Sequence, residues 1–147
     1  MKNFTMDDLR ALLDEVGVPY WKNRDAFSTV ASVDENTLYP ARLVWKLEGE
    51  DAALALRCVA LSEGDKVRVA PSDYEEALEF CNEWNSTLMA PHAFFGEDVG
   101  DFILDYTVYN PASVDASYIK EYAFDLFGRG SLRFFEDAGR KFVSKNR

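Results

Sequence analysis

Two consecutive runs of alternating apolar residues, Leu38–Leu47 and Ala52–Leu61, constrain this chain more than any other feature. Strand side chains point to opposite faces with a period of two. Leu43, Trp45 and Leu47 therefore share one face of the first run, and Leu54, Leu56, Cys58 and Ala60 share one face of the second. Glu48–Asp51, with Gly49 as turn-former, joins the runs as antiparallel neighbours. Their second face is also apolar: Val44, Ala53, Ala55, Val59 and Leu61 lie opposite the inward set, as does Ile103 farther along. A sheet made of such strands needs helices on both faces, or a second subunit or partner protein on one of them.

The remaining elements follow from changes of period. Thr5 and Asp8 have the spacing of a capping box, and Leu9, Leu12, Leu13 and Val16 fall on one helical face, closed by Gly17 and Pro19. Ala26–Ser32 reads as a short strand followed by a turn at Asp34–Asn36. Pro40 suggests an edge or bulge, and Val67–Val69 reads as a short strand extension after a turn at Glu63–Asp65. A second helix starts behind Pro71 with Ser72 and Glu75 as a capping box. It places Tyr74, Ala77, Leu78, Cys81 and Asn85 on one face, with Phe80 and Trp84 as a second contact line. Leu88–Phe95 and Asp101–Tyr109 read as strands around a turn at Gly96–Gly100. A last helix begins near Asp115 and carries Ile119, Tyr122, Ala123, Leu126 and Phe127, then Phe134, Phe135, Ala138 and Phe142. Gly128 and Gly130 are expected to weaken or kink it, with two shorter helices around a tight turn as the alternative. The order α-β-β-β-α-β-β-α is that of an α+β domain, with an antiparallel sheet of about five strands packed with three helices. One domain is expected over residues 1–147.

Charge and composition remove several function classes. The 26 acidic residues exceed the 16 basic ones, and the resulting charge of −10 repels a phosphate backbone, so no nucleic-acid partner is expected. The basic residues near the end, Arg133, Arg140, Lys141, Lys145 and Arg147, suit a helix C-terminus. No run approaches the ~20 apolar residues of a membrane span, and Met1–Arg10 lacks the apolar core of a secretory signal. With Cys58 and Cys81 at positions that read as buried, the expectation is a cytoplasmic protein with free, structural thiols and no membrane partner.

Catalytic chemistry has little to work with. The single histidine, His92, lies in the apolar run APHAFF and reads as a sheet position. One His and two Cys do not make a zinc set. No phosphate loop, nucleophile elbow or HExxH is present. The acidic run Gly96–Asp101 places Glu97 and Asp98 side by side, without the alternating oxygens of a calcium loop, and reads as a hairpin turn. No catalytic, cofactor-binding or metal residue is expected. Most aromatics sit at core spacing, but Trp21, Tyr39 and Trp45 fall in or beside the early strands. With Val44 and Val59 from the second apolar face, these are the expected partner-binding residues.

The segment Tyr74–Asn85, YEEALEFCNEWN, resembles the helix signature of the YbjN family, an acidic amphipathic helix ending in an N-x-W-N element, here Asn82-Glu83-Trp84-Asn85. Trp84 reads as a core anchor and Asn85 as a helix C-cap. The following Ala93-Phe94 step and the strand Phe102–Tyr106 also resemble the family pattern, and the resemblance extends over roughly residues 5–143. The Gly128-Arg129-Gly130 segment departs from it. The resemblance implies a single YbjN-like domain with a type III secretion chaperone-like fold, commonly dimeric, and a label of sensory transduction regulator that assigns no catalytic residue. The expected function is a non-enzymatic protein-binding module, chaperone-like or regulatory, acting through an apolar sheet face or a sheet edge on a protein partner, a client or a second copy. The alternatives are a dedicated secretion chaperone for one client, and a small-molecule sensor or enzyme with a pocket between the sheet and the C-terminal helix.

Overall fold

Helix α1 (Met6–Val16) starts where its capping chemistry dictates: Thr5 Oγ1 accepts from the Asp8 N–H at 3.2 Å, and Asp8 Oδ2 accepts from the Thr5 N–H at 2.9 Å. Gly17 ends it in the left-handed conformation at φ 81°. The computed structural model describes residues 3–50, 53–87 and 91–143. After α1 come β1 (Trp21–Asn23), β2 (Ala26–Ala31), β3 (Ala41–Glu48) and β4 (Ala55–Ser62), then α2 (Tyr74–Thr87), β5 (His92–Gly96) and β6 (Asp101–Tyr109). The C-terminal rod is continuous: α3 (Ala116–Tyr118) runs through a π-helical segment (Ile119–Leu126) into α4 (Phe127–Phe142).

The strands form one six-stranded antiparallel sheet in the order β1-β2-β3-β4-β6-β5. The strand missing from the sequence reading is β1. Its three residues, WKN, carry no alternation, and the two-residue turn to β2 uses Arg24 at φ 58°, where glycine or asparagine would have been a recognisable signal. Val67 and Val69 are buried but form no strand; the Val69 N–H bonds to the Gly100 C=O at 3.0 Å. The start of α2 also differs. Pro71–Asp73 is a 3₁₀ turn leading into the helix, so Ser72 lies inside the turn rather than at the cap of a capping box. Residues 51–52, 88–90 and 144–147, on which the first positions of two expected strands and two of the C-terminal basic residues fall, lie outside the described residues.

One face of the sheet carries the core. Leu43 and Trp45 of β3, Leu56, Cys58 and Ala60 of β4, and Phe102 and Leu104 of β6 alternate inward and meet Leu9, Leu13, Ala77, Ile119, Ala123, Phe134, Phe135 and Phe142 from the helices. Phe102 is the hub of an aromatic cluster, with ring centroids 5.0 Å from Phe95, 5.2 Å from Phe134, 5.7 Å from Phe142 and 5.9 Å from Phe80. Edge-to-face and tilted pairs of this kind add to the area they bury.

Gly128 and Gly130 do not break the closing helix. They let it lie close to its neighbours: a Cβ at Gly128 would sit 3.4 Å from Leu43 Cδ1, and one at Gly130 would sit 2.9 Å from Pro91 Cδ. Gly139 is tighter still, because a Cβ there would come within 2.5 Å of the buried Tyr39 ring. Gly139→Val is therefore expected to lower the unfolding free energy by about 1–3 kcal/mol through overpacking. Gly128→Ala, which meets only an ordinary van der Waals contact, should be neutral or stabilising through helix propensity. Urea unfolding of the two variants checks the contrast.

Candidate functional site

The helices cover one face of the sheet, and among the described residues none of them covers the other. The register assembles that open face row by row. One row runs Trp21, Ser28, Val44, Val59, Asp105, His92 across all six strands. The next runs Val30, Arg42, Leu61, Ile103, Phe94. Val44, Val59, Leu61 and Ile103 are half-buried, while Trp21, Val30 and Phe94 are 40%, 39% and 45% exposed. The result is an apolar band that no described helix covers, although Ser28, between Trp21 and Val44, is itself buried; bands of this kind mark interaction surfaces.

Charge on this face is balanced, unlike the chain as a whole. Arg42 grips Glu63 with two hydrogen bonds, Nε to Oε2 at 2.7 Å and Nη2 to Oε1 at 2.9 Å, and its guanidinium lies 5.5 Å from the Trp21 ring centroid. That guanidinium holds the Glu63 carboxyl below its usual range. Lys46 and Arg57 both reach Glu48, at 2.8 and 3.5 Å, and hold its carboxyl down in the same way. Asp105 lies across from His92.

Of the residues singled out in the sequence, the fold brings Trp21, Val44 and Val59 into one row of the open face. Trp45 and Tyr39 are corrected to core positions, 1% and 4% exposed. Trp45 points to the covered face because it alternates with Val44; its indole N–H donates to the Ala123 C=O of the π-helical segment at 3.0 Å. Tyr39 precedes β3 and packs under α4 at Gly139. The sequence reading passed over Val30 and Phe94, whose outward exposure depends on the register of neighbouring strands.

At Pro91 and Ala93 the outer edge of β5 is occupied. Asn85 is not a helix cap, since α2 continues to Thr87; its carboxamide accepts from the Ala93 N–H at 2.8 Å and donates to the Ala93 C=O at 2.9 Å. Trp84 Nε1 donates to the Pro91 C=O at 2.9 Å.

A cleft of about 840 Å³ opens beside the contact of β2 and β3 with the C-terminal rod. Leu43, Trp45 and Phe124 line its buried side, and Lys120 and Arg129 stand at its rim. Both cations are already paired, Lys120 with Glu15 at 2.9 Å and Arg129 with Asp125 at 3.0 Å.

Among the described residues, no group of three or more His, Cys, Asp or Glu side chains is placed to hold a metal ion. No described helix is long and apolar enough to cross a membrane. Cys58 and Cys81 are free and buried; burial pushes the Cys58 thiol up, and pushes Cys81 up to about 12. Neither is a thiolate near neutral pH. In the folded protein at pH 8, both should react with an aromatic disulfide reagent on the order of 100-fold more slowly than free cysteine, and both should react fully once urea unfolds the chain. Absorbance of the released thiolate follows the reaction.

An antiparallel sheet with helices on one face and an apolar band on the other makes this an α+β protein. The YbjN family model, described as "putative bacterial sensory transduction regulator", matches residues 5–138, and the chain belongs to this family. None of the curated proteins matches it.

Proposed function

We propose that this chain is a non-enzymatic protein-binding module of the regulatory or chaperone-like kind, that its working surface is the open face of the sheet, and that a second copy of the chain is an occupant of that face. The observation that carries the reading is the uncovered apolar band through Trp21, Val44, Val59, Leu61, Ile103 and Phe94. The choice of a second copy rests on charge. Two chains of net charge −10 repel one another over most of their surface. On the open face, Arg42, Lys46 and Arg57 are offset by Glu48, Glu63 and Asp105, and Asp101 lies 3.8 Å from Arg68, so two copies meet there over a surface without the excess of acid found elsewhere. The same face serves a regulatory or client protein when the second copy is displaced. Solution mass by light scattering on a sizing column, over a hundredfold range of concentration, tests the assignment. A mass that doubles with concentration supports it, and a monomer throughout removes the second copy as an occupant.

A second reading, a small-molecule sensor, is favoured by the cleft between the sheet and the C-terminal rod, whose volume suits a ligand of drug size. A thermal-shift screen against small amphiphilic metabolites tests it; a flat response ends that reading.

A further inference from the structure

β5 is an outer strand, and an outer strand offers unpaired backbone groups to any other strand. In antiparallel pairing these groups belong to alternate residues. On β5, Ala93 is such a residue: it lies across from Leu104, yet its N–H and C=O bond to Asn85. One carboxamide thus makes both hydrogen bonds that a seventh strand would make to Ala93. The assignment of the amide's oxygen and nitrogen is unambiguous, because one end must accept from an N–H and the other must donate to a C=O. Two residues earlier, Pro91 has no N–H to offer, and its C=O is taken by the Trp84 indole. Both side chains come from the last turns of α2.

The strand behind this cover is one that needs it. His92–Gly96 reads HAFFG, without Asp, Glu, Lys, Arg or proline, and Phe94 is among the exposed apolar residues. Segments of that composition pair readily with copies of themselves. Two copies of β5 placed antiparallel are related by a twofold axis, which is the simplest way for one outer strand to find a partner.

We infer that Asn85 and Trp84 form an edge guard: by occupying the outward hydrogen-bonding groups of Ala93 and Pro91, they keep β5 from pairing with β5 of a second copy of this chain. The guard acts at the β5 edge alone, and it stands on its own hydrogen bonds whether or not the open face binds anything.

The test is Asn85→Ala, made in the full chain and again in a Val59→Glu background that disables the open face. Mass is measured against concentration by light scattering, and exchange of the Ala93 amide by NMR. In dilute Asn85→Ala the Ala93 amide should exchange at least about tenfold faster than in the wild type, because its acceptor is gone. As concentration rises, the mass should double in both backgrounds and the Ala93 amide should become protected again. A folded Asn85→Ala protein that stays monomeric in the Val59→Glu background, with Ala93 protected as before, overturns the inference. Should Asn85→Ala fail to fold, Asn85→Asp keeps the acceptor for the Ala93 N–H and loses the donor to the C=O. It should then show a protected Ala93 amide with partial association. The wild type supplies a further check: an Ala93 amide exchanging as fast as an exposed loop amide also overturns the inference.

Discussion

Trp45→Ala is expected to lower the unfolding free energy by about 3–5 kcal/mol, the range for truncating a large aromatic in a packed core. Trp45 is 1% exposed, its ring meets Phe124 edge-on at 5.1 Å, and its N–H is bonded to the Ala123 carbonyl. Truncation opens a void at the centre of β3 and takes a donor from a buried carbonyl in the π-helical segment. Two effects are superposed, and Trp45→Phe separates them. It keeps most of the ring volume and removes the N–H, so a loss of about 1–2 kcal/mol measures the orphaned carbonyl. Urea unfolding of both variants gives the numbers. A Trp45→Phe protein as stable as the wild type would mean that the bond to Ala123 contributes nothing. The π-helical geometry of Ile119–Leu126 would then have some other support.

Val59→Glu is expected to weaken association through the open face by about 30- to 1000-fold, while moving the melting temperature little. Placing an unpaired carboxylate at the centre of an apolar contact costs about 2–4 kcal/mol of binding, and each 1.4 kcal/mol is about tenfold in affinity. In the isolated chain Val59 is only half-buried, between Val44 and Asp105, so a glutamate there stays in water. Its cost to the fold is the ~1 kcal/mol span of strand preference together with the repulsion from Asp105 directly across the strand, which is softened because both carboxylates stay in water. Mass by light scattering and melting by circular dichroism, measured on the same samples, distinguish the two effects. A Val59→Glu protein with undiminished association would move the interface away from this face. One that unfolds would mean that Val59 supports the core rather than a partner.

The contrast between Trp45 and Val59 also marks how far the sequence could be read. A period of two says that Val44 and Trp45 lie on opposite faces, as do Cys58 and Val59, and both statements hold in the sheet. It also showed that the second face was too apolar to be solvated like an ordinary sheet surface. Tyr39 and Trp45 fall in or beside an early strand, and an outer position for that strand would expose them to a partner. β3 is instead a central strand, flanked by β2 and β4, and its aromatic residue goes inward. Edge or centre is a property of strand order, and strand order is set by contacts between distant segments.

Local chemistry was decisive wherever a signal reached only a few residues. The Thr5–Asp8 cap and Gly17 stop define α1, the turn glycines and alternating apolar residues define β3, β4 and β6, and membership of the YbjN family was visible in the Trp84–Asn85 element. What that element does was not visible. A carboxamide that completes a strand edge uses the same residue type as a helix cap, and only the approach of β5 to α2 makes the distinction. The same holds for Gly128, Gly130 and Gly139: in isolation a glycine inside a helix weakens it, but against Leu43, Pro91 and Tyr39 its missing side chain is the space the packing requires. The sequence by itself thus determined the longer elements, the α+β class and the existence of two apolar sheet faces, because these depend on neighbours along the chain, while β1 and the non-strand form of Val67–Val69 were set elsewhere. Tertiary structure alone decided which face the helices cover, which edge is closed and which residues remain exposed, because each of those choices depends on neighbours in space.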